Sequence, residues 1–321
     1  MQLQLPIQFP ELEPKIKYGD KIYLLGSCFT QHMYNYLDRY KFQCRQNSHG
    51  ILFNPFSVAR ALHDVIHAKQ YTEQELFFLN EYYNSWNHHS DFSHLTSEET
   101  LLQINTRIAE HHQFLKEANA VCITLGSAFA YWLRKEEHYV GNNHRAPSDW
   151  FRKDLLPIEK IQTALESIQH ELHQLNPNLS VIYTISPVRH VRDGVIDNNR
   201  SKARLIEAVH ALPNTYYFPA YELVIDVLRD YRFFDTDLVH PNYGATQIVW
   251  EYFTSHCIDP REYATMEQVN RIYKARHHKP KNTTTKAHQE FLQQHAALCQ
   301  QIMEADHRID LTEERNYFSK G

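Results

Sequence analysis

The sequence predicts an α/β fold: a parallel sheet of about five strands with helices on both faces, followed by a helical C-terminal extension. Two observations carry this. Short apolar runs rich in β-branched and aromatic residues alternate with amphipathic stretches, the pattern of strand–helix–strand units. The alternation then gives way, after about Cys257, to a helical and charged tail. The first buried strand is expected at Lys21–Gly26, with a helix near Thr30–Tyr40 and a weaker strand near Lys41–Arg45. Asn54-Pro55 reads as an N-cap with proline at the first helical position, opening a helix to His67. Further strands are expected at Ala118–Gly126, Leu179–Ser186 and Thr215–Phe218. Helices are expected at Ser97–Glu117, Pro157–Leu175, Asn199–Ala211 and from Asn242 onward. Two segments, 72–96 and 135–152, break the alternation and are expected to be ordered lids or binding loops. The basic, Thr-rich stretch Lys274–Lys286 is expected to be an exposed linker before a helix over 287–305. The division that follows is an α/β domain over 1–258 and an extension over 259–321.

Composition narrows the function classes. The 321 residues carry 42% apolar and 22% charged residues, ordinary for a globular protein, and a formal net charge of −5. Nucleic-acid partners usually demand a basic excess, so none is expected. The five cysteines are scattered and odd in number, without CxxC, which fits neither a disulfide framework nor a structural zinc site. Neither GxGxxG nor GxxxxGK[ST] occurs, and no cofactor is expected. The opening residues 1–10 lack the pattern of a signal peptide. No apolar run approaches the roughly 20 residues of a membrane span. A reduced cytoplasmic protein without membrane contact is the expectation.

The chemistry is expected where the sheet ends. Ser27 follows the first strand, so its hydroxyl is presented above the sheet edge at a helix start whose amides suit a developing oxyanion. Asp237 and His240 arrive late, between the last strand and a helix, and are spaced to place an imidazole and its orienting carboxylate together. Asp235 competes with Asp237 as orienter. Cys28 is a rival nucleophile, although adjacent side chains at a helix start point in different directions and a buried cysteine is ordinarily inert packing. Two histidine clusters, His88-His89-Asp91-His94 and His170-Glu171-His173, lack the HExxH spacing. No metal is expected.

Gly26-Ser27-Cys28-Phe29-Thr30, Gly50–Pro55, Ser85–Ser90, Thr124–Ala128, Ser186-Pro187-Val188, Leu228–Arg232 and Asp237–His240 occur in this order. In them the chain resembles the GSCFA family within the SGNH (GDSL-type) hydrolases, over roughly residues 20–255. Thr30 stands where the naming motif has alanine. The resemblance implies a flavodoxin-like three-layer α/β/α fold, Ser27 as nucleophile, and Asp237 with His240 completing a triad that acts on an ester. It also implies an oxyanion hole from the Ser27 amide, a glycine after the second strand, for which Gly50 is the candidate, and an asparagine side chain. The usual Gly-x-Asn-Asp is replaced by Gly126-Ser127-Ala128-Phe129, which leaves Asn54 or Asn143 as substitutes. Trp86, His88 and His89 are expected to line the substrate pocket. The expected substrate is a small-molecule or carbohydrate ester, the 20 tyrosines offering faces for sugar rings. Acyl transfer and a non-catalytic glycan-binding module are the alternatives.

Overall fold

A computed structural model describes residues 5–320; the first four residues of the opening segment read above for a signal peptide lie outside the described residues. In chain order the elements are β1 (Lys21–Gly26), α1 (Phe29–Arg39), β2 (Gln43–Gln46), α2 (Pro55–Ile66), β3 (Phe77–Leu79), β4 (Tyr82–Asn84) and α3 (Ser97–Lys116). There follow β5 (Ala120–Leu125), β6 (Phe129–Leu133), β7 (His138–Val140), β8 (Phe151–Leu155), α4 (Ile158–Leu175), β9 (Ser180–Ile185), α5 (Val195–His210) and β10 (Tyr216–Tyr217). The chain closes with α6 (Ala220–Glu222, running into π-helical turns over Leu223–Leu228), α7 (Tyr243–Cys257), α8 (Tyr263–Arg276), α9 (Lys286–Ala305) and α10 (Thr312–Lys320).

Five strands form one parallel sheet in the order β10-β9-β5-β1-β2, the flavodoxin-like arrangement. The strand residues alternate between two cores, as the pleat requires. Ile22, Leu24, Cys122 and Ile182 join α1 and α7 on one face, whereas Tyr23, Leu25, Ile123 and Tyr183 join α2, α4 and α5 on the other. Both faces are thus covered, which explains the continuous apolar runs of β1 and β5.

The two expected loops are ordered structures. Residues 77–84 form the β3–β4 hairpin, and β6, β7 and β8 make a separate antiparallel sheet. The C-terminal extension is joined to the α/β domain through a common core. Met266, Val269, Ile272, Leu292, Ile302 and Phe318 share one apolar cluster with Met33, Leu37 and Trp250. No helix among the described residues is long and apolar enough to cross a membrane.

Candidate active site

Strand order reverses between β1 and β5, and the crevice beyond their carboxyl ends is where such sheets bind ligands. Two turns meet there. Gly26 ends β1 at φ +138°, and a Cβ on it would lie 2.0 Å from the Thr124 carbonyl oxygen, so only glycine lets the strands stay paired to their ends. Asn47 holds its amide through Oδ1 at 2.9 Å. Cys28 then caps α1, and the Ser27 carbonyl accepts the Thr30 amide at 2.9 Å.

Ser27 departs from expectation. Its side chain is fully buried, and Oγ has no hydrogen-bond partner among the described residues. The expected bond from this hydroxyl to His240 is not formed. Cys28, next to it, is partly exposed. Burial raises the Cys28 thiol pKa, while Lys202 and the amides of Cys28 and Phe29 pull it the other way.

Asp237 and His240 are brought together. The segment 235–240 folds into a tight turn with Leu238 at φ +58°. Asp237 Oδ1 accepts the amides of Val239 and His240 at 2.9 and 3.0 Å, and Oδ2 accepts His240 Nδ1–H at 2.6 Å. These bonds hold the Asp237 pKa down at about 2, the His240 amide and ring contributing most. A carboxylate acceptor beside Nδ1 favours the tautomer that carries its proton on that nitrogen. His240 keeps 44% of its side chain exposed. Asp235, the competing orienter, makes no contact with the ring and gives its amide to the His240 carbonyl.

The turn is stapled to the loop after β9. Arg189 donates from Nη2 to the Leu238 carbonyl at 2.8 Å, and its guanidinium lies over Phe234 and Tyr231. The next residue, His190, was not anticipated as a site residue. A Cβ built on Gly126 would lie 3.2 Å from Ser27 Cβ and 3.3 Å from His190 Nε2, so both side chains border the same glycine. His190 Nε2 is buried without a hydrogen-bond partner among the described residues. Burial lowers the His190 pKa to about 4, and burial likewise lowers that of His32, one turn beyond Cys28 on α1; in both, the neighbouring His240 adds to the shift. The Arg189 amide donates to the Val239 carbonyl at 3.3 Å, so the loop carrying His190 and the turn carrying His240 are adjacent along the backbone.

Lys202 is the other residue that sequence reasoning missed. It is 1% exposed, and Nζ donates to the carbonyls of Gly126 (2.7 Å) and Ser186 (2.6 Å). The signal was a polar patch on the inner face of α5. There Asn198, Ser201 and Lys202 precede Leu205, Ala208 and Val209 at helical spacing. Asn198 accepts the His190 amide and Ser201 the Ala128 amide. One helix face thus ties the loops after β5 and β9 together.

The expected oxyanion hole is corrected by the hydrogen bonds. The Ser27 amide donates to Thr124, the Gly50 amide to Asn47 and the Gly126 amide to Phe53, at 3.1, 3.0 and 2.8 Å. Asn54 is a helix cap, its Oδ1 accepting the Ser57 amide and its Nδ2 donating to Ser57 Oγ. Asn143 accepts the Arg145 amide in a separate turn. Of the expected pocket residues, two are packed into cores and His89 lies against Gly50. Trp86 stacks on Phe77 at 3.6 Å inside the core of the β6–β8 sheet. His88 is fully buried and stacks on His49 at 4.2 Å. His89 pairs with Asp91 at 3.1 Å, and its Cβ fills the space that a Cβ on Gly50 would need.

The model of the GSCFA family matches residues 21–253. The chain belongs to the GSCFA family. A second model, described as the C-terminal domain of GSCFA domain proteins, matches residues 269–321 of this GSCFA chain, which places the tail within the family's own architecture. No curated protein matches the sequence. Among solved structures, an acetyl xylan esterase (Est2A) from the rumen bacterium Butyrivibrio proteoclasticus superimposes with a TM-score of 0.36 at 12% identity, over 75% of this chain and 65% of that one. This GSCFA chain therefore spans just under two thirds of that structure, and so loose a superposition assigns neither chemistry nor substrate.

Proposed function

We propose that this GSCFA protein hydrolyses an acyl ester through a covalent intermediate, with His240 as base and Asp237 as its orienter. One observation supports it above the rest: a carboxylate held ionised, 2.6 Å from Nδ1 of an imidazole whose other face is exposed at the carboxyl edge of the sheet. In this reading Nε2 takes the proton of the nucleophile as it attacks the ester carbonyl. The same nitrogen then returns the proton to the departing alcohol. Water, activated in turn, releases the acid; a second alcohol in its place makes the enzyme an acyltransferase. The substrate class is a small-molecule or carbohydrate ester.

The nucleophile belongs to the β1–α1 turn. Ser27 is the residue the family resemblance implies, and its use requires the buried hydroxyl to swing outward. The partial exposure of Cys28 at the same turn favours a thiol in that role. Turnover of p-nitrophenyl acetate by Ser27→Ala and Cys28→Ala decides between them. In His240→Ala the rate is expected to fall by about 10²- to 10⁴-fold. Unchanged turnover in His240→Ala removes the base and the proposal with it.

A second reading is a binding module that holds a glycan without turning it over. It is favoured by the engagement of the Ser27, Gly50 and Gly126 amides in internal bonds, which leaves none of them for an oxyanion. Saturable glycan binding, unchanged by His240→Ala and without product, is its signature.

A further inference from the structure

We propose that His63, His67 and Glu171 form a site for a divalent transition ion of the zinc class, bridging α2 and α4. This site is separate from the crevice at the sheet edge and does not depend on the ester chemistry. His63 lies in the last turn of α2 and His67 caps its C-terminus. A spacing of four residues puts both imidazoles on one face of the helix. Glu171 projects from α4, and its Oε2 lies 2.8 Å from His63 Nδ1 and 3.0 Å from His67 Nε2. The three ligand atoms are all within 4.8 Å of one another.

Around a tetrahedral zinc ion with bonds of about 2.0–2.1 Å, ligand atoms stand roughly 3.3 Å apart. The carboxylate–imidazole contacts therefore open by a few tenths of an ångström to admit the ion. The side chains are free to make that adjustment, because His63 and His67 are each more than half exposed. A carboxylate beside two imidazoles is a donor set for zinc, copper or nickel rather than for magnesium or calcium, which take oxygen ligands. Three protein ligands leave one tetrahedral position open. His63 and Glu171 also line a groove of about 590 Å³, together with Arg60, Asn87, His138 and Tyr139. Of the two histidine clusters in the sequence, the second contributes one ligand. Of the group 170–173, Glu171 reaches across to α2, while His170 bonds Gln174 and His173 bonds the Leu179 carbonyl.

The test is titration of the full-length, chelator-stripped protein with ZnCl2 by calorimetry, paired with thermal melts. With 22 histidines in the chain, the variants must separate this site from scattered binding. The expected result is about one equivalent of saturable binding that raises the melting temperature. Affinity should fall by at least about tenfold in His63→Ala and in the nearly isosteric Glu171→Gln, and stay unchanged in His170→Ala. Glu171→Gln keeps the test valid if His63→Ala fails to fold. Absence of saturable binding, or affinity unchanged in Glu171→Gln, overturns the proposal.

Discussion

Lys202 shows how much one side chain can decide at the sheet edge. Its ammonium lies inside the protein with two carbonyl oxygens as hydrogen-bond partners and no carboxylate among them. Burial lowers its pKa to about 7, and the nearby Cys28 thiol opposes that shift. In the unfolded chain the amine titrates near its ordinary 10.5. Between about 7 and 10.5 the unfolded state therefore binds the proton more tightly, so raising the pH through this window favours the folded state. Below about 7 both states hold the proton and the burial penalty is felt in full. We expect the stability of the wild type relative to Lys202→Met to increase from pH 7 to pH 10, measured by urea unfolding at each pH. Parallel profiles would mean that the folded protein keeps the ammonium charged throughout. The residue type alone could not announce this, since a lysine on an amphipathic helix is ordinarily solvated.

At the scale of elements, the start of α2 separates a structural role from a catalytic one. Asn54 engages both its side-chain atoms with Ser57, and the preceding Phe53 carbonyl receives the amides of Gly126 and Ser127. Asn54→Ala is expected to lose about 1 kcal/mol of stability, the usual value of an N-cap, with esterase activity unchanged. A large loss of activity at unaltered stability would return Asn54 to the oxyanion hole. The cap was legible because Asn-Pro before an apolar periodic run has a local cause. So were β1, β5 and β9, whose continuous apolar runs reflect burial on both faces, while the polar edge strand β2 gave a weaker signal. The β6–β8 sheet was not legible. Its three- and five-residue strands mix buried and exposed residues without a period, and Trp86 is buried by Phe77 and Phe151 from other segments. The engagement of the candidate oxyanion amides was not legible for a related reason: which amides are free depends on loop closure, as with Gly50 and Asn47, and residue identity does not encode it.

Across the whole molecule, the C-terminal extension completes the core on the α1 face. Arg308 donates to the Tyr18 carbonyl at 3.0 Å and Lys41 pairs with Glu314 at 2.6 Å, while Arg39 bonds Asn270. Beneath them lie Ile272, Leu292, Ile302 and Phe318. A chain ending at residue 258 would expose the apolar surface these side chains cover, and patches of that kind drive association. Such a truncated chain is expected to aggregate or to unfold well below the full-length protein in a thermal melt. A soluble, monomeric 1–258 fragment with the full-length melting temperature would show instead that the extension is an independent module.

The most direct test of the central claim, that His240 acts on a nucleophile in the β1–α1 turn, is to trap the acyl group and find it. Rapid acid quenching after mixing with p-nitrophenyl acetate, followed by peptide mass spectrometry, should place one acetyl group in the peptide carrying Ser27 and Cys28. His240→Ala should show none there. Acetylation absent from that peptide in the wild type, or present at equal level without His240, would contradict the account.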